Sequence, residues 1–126
     1  MAAGELFAVD PTTGEASRVN LGGVSVHGDG MVLRQNTLWI AENTGVAGNH
    51  TQIVEVSLSA DLSCGSVSTR VLVNEYFDFP ATMIRKGNSF YTVMSKFGVE
   101  PGDIATTAYE IVRTDRDGGV YMCSDA

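Results

Sequence analysis

The sequence predicts an all-β chain, a partial β-propeller of about two and a half four-stranded antiparallel blades. Three observations carry that reading. A unit of short strands recurs about every fifty residues: Gly28-Asp29-Gly30-Met31-Val32-Leu33 followed by Thr37-Leu38-Trp39-Ile40-Ala41, then Phe79-Pro80-Ala81-Thr82-Met83-Ile84 followed by Ser89-Phe90-Tyr91-Thr92-Val93. Asp29 to Ala81 and Leu38 to Phe90 are both 52 residues apart. Clusters of Gly, Pro, Asn and Asp separate the strand-like runs, and no window of helical length repeats apolar residues at the helical period.

The elements follow in order. Residues 5–10 read as a strand, Pro11-Thr12-Thr13-Gly14 as a turn in which Pro presets one dihedral and Gly permits a positive one, and residues 15–20 as the returning strand. Gly22-Gly23 interrupts the pattern. The complete unit then spans strands at 30–34, 37–42, 52–58 and 67–73, with Val67, Thr69, Val71 and Val73 alternating on one face. Residues 43–49 form a loop rich in Gly and Asn. The next unit has strands at 80–85, 88–94 and 108–114, a long loop at 96–106, and a hairpin turn signal at Asp115-Arg116-Asp117-Gly118-Gly119 before a short fourth strand at 120–123. Spacings of 47 and 56 residues, with the length change placed in loops, set Phe7, Val54 and Glu110 at matching positions. The organisation is a half blade at 1–23, a full blade at 24–75 and a terminal blade at 76–126, nine or ten strands in all. A closed propeller takes roughly four to eight blades, so this count leaves a broken ring with open strand edges.

Composition bounds the function. The chain has 126 residues, 44% of them hydrophobic, with a net charge of −7. Such acidity argues against a nucleic-acid backbone as partner, and no apolar run approaches the roughly 18 residues of a membrane span. The first residues carry no basic region followed by an apolar stretch, so no signal peptide is expected in them. Asn49-His50-Thr51 is a glycosylation acceptor sequence, which would have meaning if a parent protein is secreted. Cys64 and Cys123 form either one disulfide or two free thiols, and their spacing from the two histidines is not that of a zinc site.

Several catalytic patterns are excluded. Gly23-Val24-Ser25-Val26-His27 lacks the final Gly of a nucleophile elbow. Gly28-Asp29-Gly30 lacks the third Gly and the helix of a dinucleotide site. Asp115 and Asp117 do not continue to the distal Glu of a calcium-binding loop.

Asp29-Gly30-Met31 followed by Leu38-Trp39-Ile40-Ala41-Glu42-Asn43 resembles the blade-opening motif of the senescence-marker-protein/gluconolactonase-like family of six-bladed propellers. Asp10-Pro11-Thr12-Thr13-Gly14 resembles its recurring inter-strand turn. Pro80-Ala81-Thr82 with Ser95-Lys96-Phe97 resembles its last blade, and Tyr109-Glu110-Ile111-Val112-Arg113 its final strand pair. The resemblance covers nearly the whole chain and implies the C-terminal portion of such a propeller. It then follows that either an N-terminal half is missing or copies of the chain associate.

The resemblance also implies an activity, metal-dependent hydrolysis of a small lactone or ester, with Ca²⁺ or a similar divalent cation at one mouth of the channel. Asp29 matches the family's Asp ligand; its Glu and Asn ligands from earlier blades have no counterpart here. On the residues alone, Asp29 reads first as a carboxylate that caps the turn before the strand by accepting backbone N–H groups. His27, Asp29, Asn43 and Thr82 are the expected lining of a small-molecule pocket at that mouth. For each a plainer role stands beside this one: surface or loop polarity for His27, Asn43 and Glu42, an ordinary strand position for Thr82. Trp39, Phe90 and Tyr91 are expected to pack blade against blade. Two other functions fit the same architecture: a metal-independent propeller enzyme of natural-product biosynthesis, similar to fungal pericyclases, and a non-enzymatic segment that binds a partner or itself through its open edges.

Overall fold

The computed structural model describes residues 4–43, 52–72, 76–96, 99–116 and 120–124, and for 69–71 and 120–124 the backbone alone. The glycosylation acceptor sequence, Val73, Phe97, the tip of the last hairpin at 117–119 and the Cys123 side chain lie outside the described residues.

The described chain is all-β apart from one short 3-10 helix, and its three sheets are antiparallel. A two-stranded sheet pairs β1 (Phe7–Val9) with β2 (Ala16–Arg18). A four-stranded meander follows: β3 (Gly28–Arg34), β4 (Thr37–Glu42), β5 (Gln52–Leu58) and β6 (Gly65–Leu72). A second meander holds β7 (Pro80–Lys86), β8 (Ser89–Met94), β9 (Glu110–Asp115) and β10 (Val120–Ser124). Two, four and four strands therefore stand where two, four and three or four are expected.

Local chemistry sets the turns. The Asp10 carboxylate accepts from the backbone N–H groups of Thr12 at 2.8 Å and Thr13 at 3.3 Å, and Gly14 adopts φ 76° to close the β1–β2 hairpin. A short polar side chain that bonds the backbone two residues on fixes such a turn without help from the core. Between β5 and β6, Asp61 accepts from the hydroxyls of Ser59 and Ser63, both at 2.7 Å, and from the Ser63 N–H at 3.1 Å. The loop after β8 contains the 3-10 helix Pro101–Thr106, which the periodicity does not announce. Pro in its first turn lacks only an N–H that has no intrahelical partner there, and none of its residues is buried.

The central strands β4 and β5 of the middle sheet are buried on both faces. Leu38 and Ile40 of β4 join Val54 and Val56 of β5 against Val19 and Leu21, next to the β1–β2 sheet. Trp39 and Ala41, alternating with them, join Ile53 and Leu72 against Met83 and Phe90 of the terminal sheet. A strand buried on both faces reads as a continuous apolar run rather than an alternating one, which is how Leu38-Trp39-Ile40-Ala41 reads. Trp39 and Phe90 meet as a tilted ring pair with centroids 5.4 Å apart, so both pack sheet against sheet as expected. Tyr91 is half-buried on the opposite face of β8.

The pairing corrects one alignment. Ile40 pairs Val54 and Thr92 pairs Val112, so Val54 corresponds to Val112, two residues beyond the Glu110 matched to it on the sequence. The surplus lies in the long loop before β9.

Candidate functional site

The strands β3 and β7 begin side by side at one end of the molecule. Each carries one extra residue near its start. The β3–β4 register slips between Gly28 and Met31, and the β7–β8 register slips between Pro80 and Thr82. Bulges of this kind re-aim side chains and favour strand ends and active-site rims. Close approach of the two strands is possible because residue 30 is Gly: a Cβ there would lie 2.5 Å from the Thr82 Cα and 2.8 Å from the Ala81 carbonyl oxygen.

The polar residues of this end fall into two layers. At the surface, the Asn43 Nδ2 donates to Asp29 Oδ2 at 3.2 Å, joining the loop after β4 to the bulge of β3. Asp29 and Thr82 are exposed and Asn43 is half-buried. Beneath them Glu42 is only 3% exposed. Its Oε1 accepts the His27 backbone N–H at 2.9 Å and its Oε2 accepts the Gln52 side-chain amide at 2.8 Å. Glu42 is thus an internal brace between the segment before β3 and the start of β5, not solvated loop polarity. A buried carboxylate needs such donors, because burying an unpartnered charge costs several kcal/mol, on the order of a folded domain's whole stability.

All four expected pocket residues, His27, Asp29, Asn43 and Thr82, belong to this end. Asp29 and Asn43 touch directly. His27 is half-buried and reaches the layer through its backbone bond to Glu42. Thr82 stands across Gly30 from Asp29. Among the described residues no three His, Cys, Asp or Glu side chains converge on a point where a cation could sit. Asp29 and Asn43 supply two oxygen donors, well short of the roughly six to eight that calcium takes. The residues present do not by themselves fit a hydrolytic metal. Cys64 is a free, exposed thiol in the β5–β6 turn.

Other residues singled out in the sequence have structural partners here. Ser95 Oγ donates to the Phe79 carbonyl at 2.6 Å. Lys96 Nζ donates to the Ala108 carbonyl at 2.7 Å and lies 2.6 Å from Glu110 Oε2, with both side chains mostly buried. These bonds clip the first residues of the long loop to the places where β7 and β9 begin.

The opposite end holds a constellation that the sequence reading passes over. Arg34 at the end of β3, Arg85 near the end of β7 and Arg116 just after β9 converge around Trp39, lining a recess of about 290 Å³ with Gln35 and Thr37. The Arg85 guanidinium lies 4.4 Å from the Trp39 ring centre, and Arg116 lies 6.0 Å from it. Glu55 receives the Trp39 indole N–H at 3.0 Å and the Arg116 guanidinium at 3.0 Å and 3.3 Å. Burial first, then the positive charges of Arg34 and Arg116, push the Arg85 guanidinium below its ordinary pKa, while Glu55 raises that of Arg116. The available signal is that both repeats end their first strand in basic residues, Arg34 in one and Arg85-Lys86 in the other.

Comparison with protein-family models, with curated proteins and with solved structures gives no match.

Proposed function

We propose that this chain is the C-terminal segment of a gluconolactonase-like β-propeller, its two four-stranded meanders being successive blades. The mouth formed where β3 and β7 begin would be one wall of a small-molecule pocket. The observation that carries this reading is the close approach of two equivalent first strands from successive sheets, both bulged at their starts, with Asp29, Asn43 and Thr82 near the bulges. In this reading Asp29 and Asn43 orient a polar ligand by hydrogen bonds, and Thr82 borders it from the next blade. The ancestral activity is hydrolysis of a small lactone or ester. A divalent cation would polarise the carbonyl and activate water in that chemistry; its remaining ligands would have to come from residues other than those grouped here, and no step through it is derived.

The test is a titration of the chain with small aliphatic lactones, followed by backbone amide resonances, with and without calcium. The reading expects saturable shifts at Gly28–Gly30, Asn43 and Thr82 that disappear in Asp29→Ala. Shifts elsewhere, or shifts untouched by Asp29→Ala, would overturn it.

A second reading, self-association, rests on one specific observation. The outward face of the terminal sheet repeats the face by which the middle sheet receives it. Val32 pairs Trp39, and Ile84 pairs Tyr91 at the same register; Ala41 pairs Ile53 as Val93 pairs Ile111. The first set is covered by Met83 and Phe90. In the second set Ile84 is 64% and Ile111 47% exposed. A like sheet is the occupant that such a face selects, and in solutions of this chain alone that sheet is a second copy.

A further inference from the structure

The recess at the opposite end is the most chemically specific feature of the molecule outside the polar mouth. The protein carries 8 basic residues in a net charge of −7, yet three guanidinium groups border one recess, and Glu55 is the one carboxylate that the described contacts place among them. Three guanidinium groups at one recess favour an anionic ligand there. Arg34 makes no side-chain hydrogen bond or ion pair among the described residues. Arg85 donates its Nε–H to the Gly87 carbonyl at 2.9 Å, and its guanidinium lies 4.4 Å from the Trp39 ring centre, two contacts that hold it beside the recess. Arg116 is held by Glu55. Guanidinium groups match the oxygens of a phosphate, and Gln35 and Thr37, which also line the recess, carry neutral donors.

We infer that this recess is a binding site for a phosphate-class dianion, free or as the terminal group of a small metabolite, held by Arg34, Arg85 and Arg116. A phosphate-class anion presents oxygens that guanidinium groups recognise by paired hydrogen bonds. The inference does not depend on the lactone reading: it uses the other end of the strands and none of the same residues.

Inorganic phosphate and glycerol phosphate are titrated separately into isotope-labelled protein at constant ionic strength, with chloride as the control. The expected result is saturable, low-millimolar binding, with shifts centred on residues 34–39, Arg85 and Arg116 and on the arginine Nε–H resonances. Arg34→Gln leaves Trp39 emission, and hence the sheet packing, unchanged while weakening the dissociation constant at least tenfold; Arg85→Gln weakens it further. Tighter binding of the ester identifies the end of a larger ligand, and equal binding identifies the free ion. No saturable shift, or a dissociation constant unchanged in Arg34→Gln, would overturn the inference.

Discussion

Arg116 of the terminal sheet grips Glu55 of the middle sheet with two arms of its guanidinium, Nη2 at 3.0 Å from Oε1 and Nε at 3.3 Å from Oε2. Glu55 Oε2 also takes the Trp39 indole N–H, so the clamp fixes the aromatic residue on which the two sheets meet. Because Arg116 is 43% exposed, solvent screens part of the interaction. A double-mutant cycle on Arg116→Met and Glu55→Met should return a coupling of about 1 kcal/mol, reduced in about 1 M salt. Independent, additive effects of the two changes would show that the clamp contributes nothing between the sheets.

Gly30 determines how near β3 and β7 can come. A methyl at this position meets backbone, the Thr82 Cα and the Ala81 carbonyl, rather than a side chain that could swing away. Gly30→Ala should therefore lower unfolding stability by about 1 to 3 kcal/mol, the usual cost of overpacking. Gly102→Ala, which has open space around it, is the control. Equal effects from the two substitutions would refute the close approach.

Thr92 sits fully buried between Met83 and Val112, and its hydroxyl has no hydrogen-bond partner among the described residues. Leaving a buried hydroxyl unpaired costs about 1 to 3 kcal/mol. Replacing it by a methyl of the same shape should recover part of that, so Thr92→Val is expected to raise the chemical-denaturation midpoint by an amount worth about 1 kcal/mol. A lowered midpoint would mean that the hydroxyl is paired in solution.

Asp61 makes stability depend on pH in the acid range. Hydrogen bonds from the Ser59 and Ser63 hydroxyls, then from the Ser63 N–H, hold its carboxyl at about 2, below the ordinary 3.8. The folded-state value is the depressed one. The stabilisation is therefore fully present above the unfolded-state value near 4 and is lost as pH falls through about 2. The stability difference between wild type and Asp61→Ala should stay level above pH of about 4 and shrink steadily below it. A difference that is flat down to pH of about 2 would contradict the assignment.

Short-range chemistry made the fold readable from sequence. Asp10-Pro11-Thr12-Thr13-Gly14 closes a hairpin through its own carboxylate and glycine, and the Leu38-Trp39-Ile40-Ala41 run states its two-sided burial directly. The 52-residue repeat placed equivalent first strands together before any contact was known. Register was less legible, because one bulged residue shifts a strand's pairing without changing its composition; Val54 matches Val112 only once the bonds are drawn. His27, Asp29, Asn43 and Thr82 lie at one end of the molecule, beside the motifs that define the repeat. Glu42 was misread because nothing local in the sequence reveals that Gln52 and the His27 N–H come to it. The arginine recess was missed for a related reason: Arg34, Arg85 and Arg116 come from three strands of two sheets, and a strongly acidic total conceals a basic corner.

Because the two meanders pack sheet against sheet, the exposed face of Ile84, Tyr91, Val93 and Ile111 is expected to receive another sheet of the same kind. Sedimentation equilibrium of the chain over a wide concentration range tests it most directly, alongside Ile84→Lys/Ile111→Lys. The predicted result is reversible association of the wild type and a single species of 13.4 kDa for the variant, with Trp39 emission unchanged. A wild type that stays at 13.4 kDa at every concentration would contradict the claim.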